Sequence, residues 1–243
     1  MIPADHPRYR SLLTREHLAE CAKKGIVSWE GLIAHGRGEA FDYLIGERTT
    51  ESALLAGRTA AAMLLSARHP VISVNGNTAA LAAGEIAALQ KACGACVEVN
   101  LFHRTEARTG MIENLLTDAG VVVLSGEAER LLPLSHERAW CRRDGIFSAD
   151  VVLVPLEDGD RCAALVDMGK TVIAIDLNPL SRTARSATLT IVDELTRALP
   201  RITDACREIS DTEKERLIHS VDNHYLLSEA IREMTARLSH ALD

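Results

Sequence analysis

The chain has 243 residues, 47% hydrophobic and 25% charged, with a net charge of −7. That length can bury a full core, and the acidic balance argues against nucleic acid as a partner, because phosphate-backbone binders need a basic face. Aromatic residues are only 3%, which favours helices packed on a sheet over a β-sandwich.

Residues 14–24 have helical spacing, residues 31–48 are dense in Gly, Arg and Glu and read as a loop, and residues 50–68, rich in Ala and Leu, read as a helix. Residues 71–75 form a strand, Gly76-Asn77-Thr78 a tight turn with Thr78 as candidate N-cap, and residues 79–92 a helix. A strand over 97–102, a helix through Leu116 and a strand over 121–124 follow. The polar excursion 125–148 has little regular structure. Strands at 151–155, 171–176 and 188–192 enclose a helix over 158–168, and two or three helices follow Asp193. The near-continuous apolar runs, alternating with helices, predict an α/β fold with a mostly parallel sheet covered on both faces. One domain is expected over residues 1–243, with its core at about 70–195, a helical part at 1–69 and further helices at 196–243. No apolar run nears the roughly 20 residues of a membrane span, no secretory leader is visible, and six irregularly spaced cysteines suit a reducing compartment. A cytoplasmic protein without membrane association is expected.

Ligands of open α/β sheets bind beyond the carboxyl ends of the strands. Four such ends carry polar groups: Asn75-Gly76-Asn77, Asn100 with His103-Arg104-Thr105, Glu157-Asp158-Gly159-Asp160, and the loop 176–185. In that last loop Asp176 can accept from a ribose hydroxyl, Asn178 offers a donor and an acceptor, and Arg182, Thr183 and Arg185 suit phosphate oxygens. An Asx-Pro turn with solvated arginines is the plainer reading. Asn75-Gly76-Asn77 precedes a helix whose N-terminus favours anions. Arg37, between Gly36 and Gly38, can project toward a phosphate, although the dinucleotide fingerprint is broken at Phe41. His103 is a candidate general base or ligand donor. Gly169-Lys170-Thr171 resembles the end of a Walker A loop but leads into a strand, and Cys93 and Cys96 lack the second ligand pair of a zinc site. No metal ligands are assigned.

Six blocks in order carry a resemblance: His6-Pro7-Arg8-Tyr9, residues 31–43, Val74-Asn75-Gly76-Asn77, residues 100–105, residues 155–160 and residues 175–182. Together they resemble the archaeal phosphopantothenate synthetase family, 4-phosphopantoate–β-alanine ligases of coenzyme A biosynthesis. The similarity runs from about His6 to Pro200, and the helices after Asp211 carry no signature. The resemblance implies a homodimer with a Rossmann-like core that joins 4-phosphopantoate to β-alanine while cleaving ATP to AMP and diphosphate. For ATP it points to Arg15, Arg37, Asp176, Leu177, Asn178, Arg182, Thr183, Glu194 and Leu195. Reaction through an acyl adenylate is expected, with Mg²⁺ and the arginines neutralising charge, and Arg37, His103 and Arg104 as catalytic candidates. By the strand-end argument, the phosphate of phosphopantoate lies by Asn75, Gly76 and Asn77 with His103 and Arg104 near it. A nicotinamide-dependent oxidoreductase and a non-catalytic sensor of a phosphorylated metabolite are the alternatives. Saturable NAD(P)H binding without ATP binding would mark the first, and ligand binding without turnover the second.

Overall fold

The computed structural model describes residues 2–241. Three helices come first: α1 (Tyr9–Lys23), α2 (Trp29–Ile45) and α3 (Glu51–Ser66). The alternating part runs β1 (Pro70–Val74), α4 (Gly76–Cys93), β2 (Cys96–Val99), α5 (Glu106–Asp118), the two-residue strands β3 (Glu129–Arg130) and β4 (Trp140–Cys141), β5 (Val151–Pro155), α6 (Gly159–Asp167), β6 (Thr171–Ile175), α7 (Arg182–Ser186) and β7 (Leu189–Ile191). Helices α8 (Leu195–Glu208), α9 (Asp211–His219) and α10 (Asn223–Ser239) complete the described chain.

The main sheet has five strands in the order β2-β1-β5-β6-β7, every pair parallel. The expected strand at 121–124 is reduced to one parallel bridge, Val97 to Val123, on the outer edge of β2, with the Leu124 amide donating to the Val97 carbonyl at 2.8 Å. Gly120 and Gly126, both at positive φ, bracket this segment and keep it short. Counting that remnant as the third strand of the first half gives the 3-2-1-4-5-6 order of a Rossmann sheet, whose switch point lies between β1 and β5.

Side chains alternate across the sheet. Ile72, Val74, Val97, Val99, Leu153, Ile173, Ile175, Leu189 and Ile191 share one core with α3, α4, α5 and α8. Val71, Val152, Val154, Val172 and Ala174 face the other way, against Cys162 and Leu165 of α6 and Leu132, Cys141 and Ile146 of the excursion. The excursion is anchored by buried charge. Glu98 of β2, 1% exposed, accepts from the Arg142 and Ile146 amides at 2.8 and 2.7 Å. Lys170 Nζ donates to the Phe147 and Ala149 carbonyls at 2.6 and 2.8 Å. These bonds satisfy backbone that a loop under a sheet would otherwise bury unpaired.

The largest departure from expectation is α2, where a loop was anticipated. Ser28 caps it by accepting from the Gly31 amide, and Gly46 ends it in the left-handed region. Two of the glycines within it are contact points rather than turn residues. A Cβ on Gly31 would sit 2.3 Å from Asn77 Oδ1, and one on Gly38 would sit 3.6 Å from Leu177. The turn expected at 76–78 is also helical: Asn75, not Thr78, is the N-cap of α4, its Oδ1 accepting from the Thr78 amide at 3.0 Å. Gly76 lies against the loop before α2, where an added Cβ would meet the Ile26 carbonyl oxygen at 2.3 Å. A Gly76→Ala variant is therefore expected to lose about 1–3 kcal/mol through overpacking, read as a lowered urea midpoint. An unchanged midpoint would mean that this backbone contact yields without strain.

Candidate active site

Helix α2 crosses the carboxyl edge of the sheet, and its residues 31, 38 and 42 fall on one face. The Asn77 amide at the start of α4 donates to the Gly31 carbonyl at 2.8 Å. Gly38 packs on Leu177 beyond β6. Asp42, buried, pairs with Arg197 of α8, which also contacts Asp193 Oδ1 at 2.7 Å. Burial opposes the charge of Arg197, yet these two carboxylates hold its pKa above the ordinary value. The helix thus spans from the end of β1 to the end of β7, over the switch point.

Arg37 is exposed on α2, makes no ion pair among the described residues, and lies close enough to lower the pKa of Asp176. Burial dominates and pushes that carboxyl up, against the Ser181 hydroxyl, the Asn178 amide and Arg37. Asp176 Oδ1 accepts from the Asn178 amide at 2.9 Å and Oδ2 from the Ser181 hydroxyl, while Asn178 Oδ1 accepts from the Leu180 amide at 2.9 Å. The loop is a double Asx turn that ends in Ser181, the N-cap of α7.

The remaining expected nucleotide residues fall into distinct settings. Arg182 is exposed and pairs with Asp160. Thr183 is buried, its hydroxyl donating to the Glu157 carbonyl at 2.8 Å. Glu194 caps α8, accepting from the Thr196 amide at 2.7 Å, and burial raises its pKa. Leu195 is a core residue, 1% exposed. Arg15 Nε contacts Glu39 Oε2 of α2 at 2.8 Å. Asp176, Leu177, Asn178, Arg182 and Thr183 are brought to one loop facing Arg37 by the continuity of β6 into α7, while Arg15 reaches the same helix through Glu39.

A carboxyl raised in the folded state adds stability below its unfolded pKa and loses it as pH rises through the folded value. Asp176 and Glu194 both behave so. The paired substitution Asp176→Asn and Glu194→Gln should flatten the decline in stability as pH rises above the unfolded carboxyl range of about 4. Denaturant midpoints measured over that rise would check it, and an unchanged slope would exclude these two groups as its source.

The expected phosphopantoate residues lie at the other half of the crevice. Asn75 Nδ2 donates to the Pro155 and Leu156 carbonyls, both at 3.0 Å, and so ties β1 to β5. The Asn75 side chain and the Asn77 amide are thus committed to the fold, and the Gly76 backbone is itself buried beneath Ile26 and Arg108. His103 is exposed, 3.5 Å from Glu30. Arg104 is half-buried and makes no ion pair among the described residues. Beneath the β5 end, Glu157 is buried between Arg138, 2.6 Å away, and Arg161. Arg138 also reaches Asp158 at 3.1 Å, and Arg161 donates to the Ser73 hydroxyl at 3.1 Å. Sequence reading missed Arg138 and Arg161 as partners of Glu157, and Asp42 and Arg197 as the anchor of α2. Of these, only the i, i+4 spacing of Glu157 and Arg161 leaves a sequence signal.

Among the described residues no group of three or more His, Cys, Asp or Glu is placed to hold a metal ion. The residues present therefore do not form a ready Mg²⁺ cage. No helix among them is long and apolar enough to cross a membrane, and all six cysteines are free thiols.

Residues 52–237 match the family model of phosphopantothenate/pantothenate synthetase. The match runs past Asp211, into helices where the sequence alone carried no signature. The chain is 59% identical over 243 residues, all of both chains, to a 4-phosphopantoate–β-alanine ligase of Methanospirillum hungatei. It is 56% identical over 241 residues to the ligase of Methanosarcina mazei, covering 98% of this chain and 95% of the relative. A third relative of the same name, from Thermococcus kodakarensis, is 52% identical over 244 residues, covering 98% and 94%.

Proposed function

The chain belongs to the phosphopantothenate/pantothenate synthetase family, and from that premise we propose that it is a 4-phosphopantoate–β-alanine ligase of coenzyme A biosynthesis that uses ATP. The two halves of the crevice divide the work. ATP binds over the second half, with Asp176 and Asn178 on the nucleoside and Arg37, Arg182 and Arg15 along the phosphates. Arg182 exchanges its exposed Asp160 partner for a phosphate oxygen, and Thr183, Glu194 and Leu195 shape the pocket from beneath. The acid substrate lies over the first half, near Gly76, His103 and Arg104. The observation that carries this reading is α2, which packs Gly38 on Leu177 beyond β6 and brings the charge of Arg37 to bear on Asp176.

The carboxylate of 4-phosphopantoate attacks the α-phosphorus of ATP, and the bond to the β-phosphate breaks to release diphosphate. The amine of β-alanine then attacks the acyl carbon of the adenylate, loses a proton, and AMP leaves with the bonding pair of the C–O bond. Such phosphoryl chemistry depends mainly on positioning and charge neutralisation, which suits a site rich in arginine. Mg²⁺ would arrive with the nucleotide, held largely by its phosphates, and would supply counter-charge. The free thiols fit a cytoplasmic enzyme, and the working unit is a homodimer. The oxidoreductase alternative finds no support in a β1–α4 turn with a single glycine.

Purified protein with ATP, Mg²⁺, 4-phosphopantoate and β-alanine is expected to form AMP only when both substrates are present. ADP as product, or AMP formed without 4-phosphopantoate, would remove the adenylating route.

A further inference from the structure

Arg108, in the first turn of α5, was not among the residues expected to bind anything. Its guanidinium lies beside Gly76, where an added Cβ would be 2.8 Å from Nη2. Nε and Nη2 donate to the Ile26 carbonyl at 3.3 and 3.1 Å, and Nη1 to the His103 carbonyl at 2.9 Å. A guanidinium has five N–H donors, so two remain, one on each terminal nitrogen. The guanidinium thus keeps two donors to offer a phosphate.

The arginines near the β1 and β5 ends are not answered alike. Arg138 and Arg161 are answered by Glu157 and Asp158. Arg108 has no carboxylate within ion-pair distance among the described residues. Burial and the like charge of Arg138 both lower its pKa, opposed by the charge of Glu30. A half-buried cation bonded only to neutral carbonyls is a ready partner for an added anion.

We propose that Arg108 is the residue that recognises the phosphate of 4-phosphopantoate, and so separates the phosphorylated acid from free pantoate. This rests on the ligase reading above and replaces Asn75 and Asn77 side chains, already bonded within the fold, as the principal phosphate contact. Through the carbonyl of His103, Arg108 also sets the loop that carries His103 and Arg104, so phosphate binding and placement of that loop are one event.

The test compares binding of 4-phosphopantoate and of pantoate by calorimetry in the wild type, Arg108→Ala and Arg108→Lys. In Arg108→Ala the affinity for 4-phosphopantoate is expected to fall by about tenfold to a hundredfold, with pantoate binding falling much less and ATP binding unchanged. Arg108→Lys, which keeps the charge but not the fork, should lie between, and should hold its fold if the alanine variant does not. Inorganic phosphate should compete with 4-phosphopantoate in the wild type and less well in Arg108→Lys. Equal losses for 4-phosphopantoate and pantoate, a matching loss for ATP, or no loss would each overturn the assignment. A wild type that forms no AMP from its substrates would instead overturn the ligase reading itself.

Discussion

Arg37→Ala is expected to lower the rate of AMP formation by about a hundredfold or more, the usual effect of removing a group that stabilises developing charge. The side chain is exposed and makes no ion pair among the described residues, so its loss should move the denaturation midpoint little. Its neighbour across the crevice is Asp176, whose carboxyl it helps to keep ionised. A steady-state assay of AMP, run beside a urea melt, separates the two effects. Near wild-type turnover would exclude Arg37 from the chemistry, while a large loss of stability would recast it as a structural residue.

Glu157→Ala should be the most damaging single change to the fold, costing about 3–5 kcal/mol. The glutamate side chain is 1% exposed and lies between Arg138 and Arg161, themselves 7% and 0% exposed. Removing it strands two guanidiniums that cannot reach water, although Asp158 still faces Arg138 at 3.1 Å. Glu157→Gln keeps the shape and one acceptor and should recover part of the loss. Equilibrium urea unfolding is the measurement. A change below about 1 kcal/mol would show that water enters to solvate the arginines.

Strands β1, β5 and β6 were legible because buried parallel strands are written as short apolar runs bounded by turns. The loop after β6 was legible too, since Asp176, Asn178 and Pro179 compose a turn from local chemistry alone. Helix α2 was not. Gly31, Gly36 and Gly38 argue locally for a loop, and only packing against Asn77 and Leu177 explains two of them. The strand at 121–124 had the right composition but only one partner edge and a glycine on either side. Asn75 and Asn77 looked like ligand residues because their bonds run to residues 155, 156 and 31, and such distant partners leave no trace in local pattern. Arg108 was overlooked for the same reason, its partners being the carbonyls of Ile26 and His103.

The fastening of α2 is mechanically lopsided. Toward its carboxyl end, Asp42, Arg197 and Asp193 form a buried ionic clamp, to which the Thr49 hydroxyl adds a bond to Asp193 at 2.6 Å. At its amino end the ties are lighter, the neutral Asn77 amide donating to the Gly31 carbonyl and the exposed Glu30 lying 3.5 Å from His103. A bar clamped at one end and latched at the other admits traffic by swinging at the latch. Any opening of the crevice is therefore expected above β1, with the end near β7 as its fulcrum.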